Sequence, residues 1–209
     1  MNITWLLHAA FLIAQNGQNV YIDPFHLKNN LPKADVVFVT HTHYDHLSPE
    51  DIRKVLKDST VIVAPQDAEQ QLKGIPNNKI FVKPGNEYAV GSLKIRTVPA
   101  YNIGKLFHPK SRNWVGYVIT FGDETSFFHT GDSDNIPEYA ALKGLHITVM
   151  AVAIGGTYTM NWKEAAEAVL AAGPKEAIPM HWGSVVGDRQ DAEKFRDALK
   201  SGAVKVTIF

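Results

Sequence analysis

Residues 41–46 read His-Thr-His-Tyr-Asp-His, so His41, His43, Asp45 and His46 place three imidazoles and a carboxylate directly after the apolar run Val36-Val37-Phe38-Val39-Thr40. Buried polar groups without partners cost free energy, and neutral imidazole is the commonest metal ligand. Such density at the end of a buried strand points to bound cations rather than to a polar loop whose histidines only hydrogen-bond. If the chain stays extended beyond Thr40, His41 and His43 project to the same side and reach one ion. Asp45 and His46 follow where the chain turns, aim in other directions, and suit a second ion beside the first. The pattern reads as a two-metal site.

The elements that must hold this segment are legible around it. Ser48-Pro49-Glu50-Asp51 carries a helix-start signature: a Ser cap, Pro in the first helical position and acid in the first turn. Apolar patterning predicts strands near 3–7, 10–15, 19–23, 35–40, 60–64, 79–82, 93–99, 114–121, 125–129, 147–153, 177–180 and 204–209. Helices are predicted near 49–57, 66–73, 136–142, 161–172 and 190–200. In the helix at 161–172, Trp162, Ala165, Ala166, Val169 and Leu170 mark one face, Asn161 with Glu164 forms a capping-box pattern, and Gly173-Pro174 ends it. Strands dominate early and then alternate with helices, which fits a layered α/β sandwich. No linker or low-complexity stretch divides residues 1–209, so one domain is the economical count.

Composition narrows the function classes. A chain of 209 residues with 45% hydrophobic content can bury a sizeable core. Lysine plus arginine equals aspartate plus glutamate at 21 each, so no global field favours nucleic acid or an acidic membrane surface. Cysteine is absent, which leaves imidazole and carboxylate as the metal-binding groups. The apolar N-terminal stretch Ile3–Ile13 lacks a basic leader and carries His8, so it reads as core strand rather than signal or anchor, and the cytoplasm is the expected compartment. Association of copies stays open.

His41-x-His43-x-Asp45-His46 resembles the signature of the metallo-β-lactamase-fold hydrolases, and later landmarks appear in order. Gly131-Asp132 follows the strand-like Ser126-Phe127-Phe128-His129, and His181 follows Ala177-Ile178-Pro179-Met180. Trp5-Leu6-Leu7-His8, Ile22-Asp23-Pro24, His129-Thr130-Gly131-Asp132 and Pro179-Met180-His181-Trp182-Gly183 are most similar to the compact metal-dependent hydrolase branch. That branch also contains ascorbate-phosphate lactonases and N-acyl-phosphatidylethanolamine phospholipases. The resemblance implies a four-layer αββα sandwich, with two mixed sheets and helices on the outer faces.

The resemblance also implies the ligand sets: His41 and His43 for the first metal, Asp45, His46 and His181 for the second, and Asp132 bridging both. A hydroxide held between the ions would be the nucleophile, with Asp45 helping to position the attacking water or accept its proton. Zinc is the first choice, and all-N/O ligation also admits manganese or iron. One ligand departs from the pattern. Relatives supply a third histidine from a Pro-Ala-x-His step, where this chain reads Pro99-Ala100-Tyr101-Asn102. His108, six residues on, is the expected replacement.

The other histidines have plainer readings. His8 and His129 lie in apolar strand-like segments as core histidines or as partners that orient ligands, while His26 and His146 suit loops. Asp23 fits either the carboxylate that fixes a ligand tautomer or an Asp-Pro turn. Lys105, His108, Lys110 and Arg112 form a basic stretch interleaved with Tyr101, Phe107 and Trp114, which suits either steering of a phosphate or carboxylate or an ordinary solvated loop, and Gly155–Thr159 should form another rim loop. The expected function is hydrolysis of an ester-type bond, a phosphodiester or lactone, in a small anionic molecule. The alternative is a metal-dependent binding or sensing module on the same fold.

Overall fold

The computed structural model describes all 209 residues. Strands β1 (Asn2–Leu7), β2 (Ala10–Gln15), β3 (Gln18–Ile22), β4 (Val36–Phe38), β5 (Val61–Pro65) and β6 (Lys79–Val82) form one sheet in sequential order. Its first three strands are antiparallel and the rest join in parallel. A second sheet runs β7 (Glu87–Val90), β8 (Leu93–Pro99), β9 (Val115–Thr120), β10 (Ser126–His129), β11 (Val149–Ala153), β12 (Glu176–Met180) and β13 (Lys205–Val206), again antiparallel first and parallel after β10. The two sheets thus repeat one plan.

Side-chain alternation in the strands builds four layers. Val20, Ile22, Val36 and Phe38 face the second sheet, where Ile95, Tyr117, Ile119 and Phe127 complete a shared core. Their neighbours Tyr21, Val37 and Val39 face outward onto helix α1 (Pro49–Val55) and α2 (Glu69–Leu72). On the opposite side Val118, Phe128, Met150 and Val152 pack under helix α3 (Trp162–Ala172) and α4 (Arg189–Leu199). Period-two burial on both faces is what a sheet covered by another sheet and by helices requires. The αββα sandwich follows, and no helix is long and apolar enough to cross a membrane.

Several elements differ from the sequence expectation. The segment 136–142 is a 3-10 helix over Pro137–Leu145, and 66–73 divides into a 3-10 turn and α2. Strand β7 has no counterpart in the apolar patterning, because a four-residue edge strand with Glu87 and Ala89 exposed lacks a strong apolar signal. Only Lys205–Val206 of the C-terminal segment pairs with β12. Strand β4 ends at Phe38, so His41 and His43 belong to the following loop rather than to extended chain. His8 sits in the β1–β2 turn with a left-handed φ of 56°, not in a strand.

Candidate metal centre

All the chemistry-bearing loops leave one end of the sandwich. The loop after β4 carries His41–His46, and α1 closes it: the Ser48 hydroxyl accepts from the Asp51 amide, and Asp51 in turn accepts from the amides of His26 and Leu27, each at 2.9 Å. The loop after β10 carries Asp132. Gly131 has φ 61°, and a Cβ there would meet the Val115 carbonyl at 3.0 Å and Thr40 Cβ at 3.2 Å, so glycine permits the close approach of the two loops. His181 follows β12 with φ 61°, a left-handed conformation that costs a histidine free energy. It has room because Gly155 lies beside it: a Cβ there would stand 2.9 Å from His181 Nδ1.

Asp132 is the centre of the constellation. Its Oδ1 lies 3.3 Å from His46 Nε2, and its Oδ2 lies 3.0 Å from His181 Nε2, 3.3 Å from His108 Nε2 and 3.9 Å from His41 Nε2. On one side of it His41, His43 and His108 gather, and on the other His8, Asp45, His46 and His181, with ligand atoms in each group within 4.8 Å of one another. The structure therefore brings together all seven residues singled out in the sequence, His108 included.

Three imidazoles are held from behind through Nδ1. The single Thr40 hydroxyl proton goes to Asp23 Oδ2 at 2.6 Å, so Thr40 Oγ1 accepts from His41 Nδ1 at 3.0 Å and leaves His41 Nε2 without a proton. His46 Nδ1 donates to Asp23 Oδ2 at 2.7 Å, and His108 Nδ1 donates to Asn102 Oδ1 at 3.0 Å. In each ring Nε2 faces Asp132. The Asp-Pro turn reading of Asp23 and the tautomer-fixing reading are both realised in one residue, with φ 46° and a carboxylate aimed at the loop.

Asn102 is not placed as a ligand. Its Oδ1 also accepts from the His108 amide at 3.1 Å, and its Nδ2 donates to Asp134 Oδ1 and to the Tyr158 carbonyl. The amide is thereby fully engaged in holding His108. His8 likewise has both ring nitrogens occupied, Nε2 with Asp45 Oδ2 at 3.1 Å and Nδ1 with Ser184 Oγ at 2.9 Å. His129 staples the β1–β2 turn through the Ala9 carbonyl and accepts from the Gly131 amide. His26 and His146 are exposed. The roles of Thr40, Asn102, Ser184 and Gly155 have no local sequence signal, since each depends on a partner from another loop.

Electrostatics follow from burial among these groups. Burial holds the His41 pKa well below its ordinary value, reinforced by His46, and burial lowers His43 and His8 as well. Burial opposes charging His46 too, but Asp132 and Asp23 outweigh it and raise its pKa well above the usual range. For Asp45 and Asp132 burial favours the neutral acid and is overcome, in Asp45 by the His8 hydrogen bond, which leaves it at about 2, and in Asp132 by His181 and His46. Both carboxylates are ionised at neutral pH.

The residues fit divalent ions. Five buried polar atoms here make no hydrogen bond: His46 Nε2, His108 Nε2, Asp132 Oδ1 and both nitrogens of His181. Such orphans are costly without a cation between them. The 3.1 Å between His41 Nε2 and His43 Nδ1 is close to the ~3.3 Å implied by two Zn–N bonds at a tetrahedral angle.

A model of the beta-lactamase superfamily domain matches residues 2–181. A UPF0173 metal-dependent hydrolase from Methanopyrus kandleri is 34% identical, with 100% of this chain and 95% of that protein covered. The chain belongs to this family of metal-dependent hydrolases within the beta-lactamase superfamily. Another UPF0173 metal-dependent hydrolase, from Archaeoglobus fulgidus, is 32% identical over 100% of this chain and 94% of its own length. Among solved structures, a protein from Parabacteroides distasonis described as a metal-dependent hydrolase superposes with a TM-score of 0.87 at 30% identity, covering 99% of this chain and 91% of that one. The metallo-hydrolase Igni18 of Ignicoccus hospitalis shares the fold, with a TM-score of 0.84 at 23% identity over 99% of this chain and 94% of that one.

Of the two readings of the basic stretch, the solvated loop fits its three long cations, while His108 alone of the stretch faces the cavity: Lys105 pairs with Asp134 at 2.7 Å, Lys110 with Glu138 at 3.0 Å, and Arg112 with Asp67 at 3.3 Å. Each cation has a carboxylate from another loop, and none lines the cavity of about 260 Å³ over Asp132. The anion-steering role is therefore not built by these side chains.

Proposed function

We propose that this protein is a binuclear hydrolase that cleaves an ester-type bond, a lactone or phosphodiester, in a small substrate. In this reading His41, His43 and His108 hold one divalent ion, Asp45, His46 and His181 hold the other, and Asp132 serves both. Zinc suits the imidazole-rich set, and manganese or iron is compatible with it. The observation that carries the reading is the set of five buried, unpartnered polar atoms converging beside Asp132.

Bound divalent ions supply Lewis acidity, lowering the pKa of water toward neutrality and polarising the ester. The chain's own residues do the positioning. Asp23, Thr40 and Asn102 hold three ligand rings with Nε2 inward, which is what partners behind metal-ligating histidines do. Asp45 is ionised, held by His8, and lines the cavity, so it accepts a hydrogen bond from the attacking water and orients it. Water's oxygen bonds to the acyl carbon or phosphorus as the ester oxygen leaves, and the departing oxygen takes up a proton.

Elemental analysis of metal-replete protein tests the centre, with close to two ions per chain expected and one or fewer refuting it. A panel of chromogenic lactones, carboxylic esters, phosphodiesters and phosphomonoesters with added zinc or manganese tests the reaction. Metal uptake with no turnover across the panel would return the protein to the class of binding or sensing modules.

A further inference from the structure

We propose that the substrate is a small uncharged ester whose acyl or alkyl group packs into an apolar mouth built by Tyr44, Phe107, Tyr158 and Val185. This rests on the hydrolase reading above and narrows it to neutral carboxylic esters and lactones.

The walls of the cavity change character with depth. Its floor holds His43, Asp45, His108, Asp132 and His181, whereas the four mouth residues are aromatic or aliphatic. Tyr44 is 70% exposed, Phe107 45% and Val185 40%, values at which large apolar side chains lie in water. Beside Phe107 in the same loop, Leu106 is 94% exposed and Ile103 56%. Scattered apolar residues on a surface are ordinary. Here three of the seven exposed large apolar side chains of the molecule line one opening, and two more, Ile103 and Leu106, belong to the loop that carries Phe107. Clustering of that kind marks a binding surface.

The mouth is ordered by the same group that orders the floor. Asn102 donates to the Tyr158 carbonyl while it accepts from His108, so one amide fixes a mouth loop and a floor imidazole together. Phe107 then meets Tyr158 edge to face, with ring centroids 4.7 Å apart and planes at 89°. Charge argues in the same direction. With Lys105, Lys110 and Arg112 each paired elsewhere, a carboxylate or phosphate on the substrate's distal part would lose hydration against these walls and meet no cation in return. The cavity of about 260 Å³ lies just below the ~300–1,000 Å³ usual for drug-sized ligands, so the group it takes is a short chain or a single ring.

The test compares two esters of equal length, 4-nitrophenyl butyrate and mono-4-nitrophenyl succinate, on metal-loaded protein. Their uncleaved amide counterparts, butyranilide and succinanilic acid, are titrated calorimetrically against metal-loaded and metal-free protein. The butyrate is expected to show at least a tenfold higher kcat/KM, and butyranilide to bind at least tenfold more tightly in both metal states. Phe107→Ser and Tyr158→Ser should each shrink the ratio by lowering the butyrate value alone. Equal or reversed preference in both measurements would overturn the proposal. If neither ester is cleaved but butyranilide still binds preferentially, the hydrolase reading fails and the apolar mouth stands. Cleavage of both esters with no preference between them upholds the hydrolase reading and overturns the apolar mouth.

Discussion

The floor and the mouth of one cavity are held by different physics. Around the floor, His41, His46 and His108 each have Nδ1 tied to an oxygen, and their supports are tied again: Asp23 to the Thr40 amide at 2.8 Å, Asn102 to Asp134 at 3.1 Å. At the mouth, Tyr44 and Val185 are exposed, and the rings of Tyr44 and Phe107 meet their neighbours edge to face. Hydrogen bonds are directional and leave one arrangement, whereas apolar contact is nearly indifferent to small displacements. The contrast implies that the chemistry of this site is fixed by construction and its substrate preference is adjustable. Substitutions should separate the two.

The largest effect is expected at the centre of the floor. Asp132→Ala removes the one carboxylate that reaches His41, His46, His108 and His181, and should lower turnover by at least ~10³-fold, about 4 kcal/mol of transition-state stabilisation. Circular dichroism should show the fold retained, because the sheets and their shared core do not involve Asp132. Full turnover in this variant would mean that a different residue joins the two ligand groups.

Beneath the floor, Asp51 should show a stability effect with a definite pH dependence. It accepts from the His26 and Leu27 amides, from Ser48 and from Lys54, and so ties the chain after β3 to the helix that closes the His41–His46 loop. Burial would raise its pKa, but Lys54 and Ser48 outweigh burial and lower it. A carboxylate with its folded pKa depressed stabilises fully above its unfolded value, near ~3.9, and loses that contribution as pH falls through the folded value. Asp51→Ala should cost about 2–3 kcal/mol at pH 7 in urea unfolding of metal-free protein, with the gap to the parent narrowing below about pH 4. A gap that stays constant from pH 7 to pH 3 would remove the ionised carboxylate from the explanation.

What is legible in the sequence follows the same division. His41, His43, Asp45 and His46 are contiguous, so their composition alone carries the inference, and His181 and Asp132 follow from resemblance at ordered positions. The orienting groups are silent in the sequence because each works across loops: Asn102 and Tyr158 are separated by 56 positions, His8 and Ser184 by 176. The two readings of the basic stretch stay open in the sequence for the same reason. Lys105, Lys110 and Arg112 read as free cations until the fold delivers Asp134, Glu138 and Asp67 to them. Differences among the elements are local: the edge strand β7 is too short and too polar to announce itself, and Pro137–Leu145 winds as 3-10 helix despite helical patterning.

Asn102 lies where floor and mouth join, so its substitution sharpens the comparison. Asn102→Ala frees His108 Nδ1 and leaves the ring's tautomer and orientation unfixed. Loss of such a partner typically costs 10–100-fold in metal affinity, which competition with a chromophoric chelator would measure. His108→Ala should weaken metal binding further, since in the proposed centre it removes a ligand rather than its support. Negligible effects of both would leave the first ion with two histidines and exclude His108 from the centre.

The smallest effect belongs to the mouth, and it is the most discriminating. Tyr44 stands between His43 and Asp45 in sequence, yet its ring points out of the floor, 70% exposed and 6.1 Å from Phe25 in an edge contact. Removing it exposes about 40 Å² of apolar contact with a bound acyl group, roughly 1 kcal/mol at ~25 cal/mol per Å², or about fivefold in KM. That contact is made equally in ground and transition states, so kcat should hold while KM rises. Metal content should stay at the parent value, because no hydrogen bond of the floor involves the Tyr44 side chain. Tyr44→Ala assayed with 4-nitrophenyl butyrate therefore decides whether floor and mouth are separable: a fall in kcat or in bound metal would show that the Tyr44 ring helps to hold its two neighbours, and the division between fixed chemistry and adjustable preference would fail at its closest point of contact.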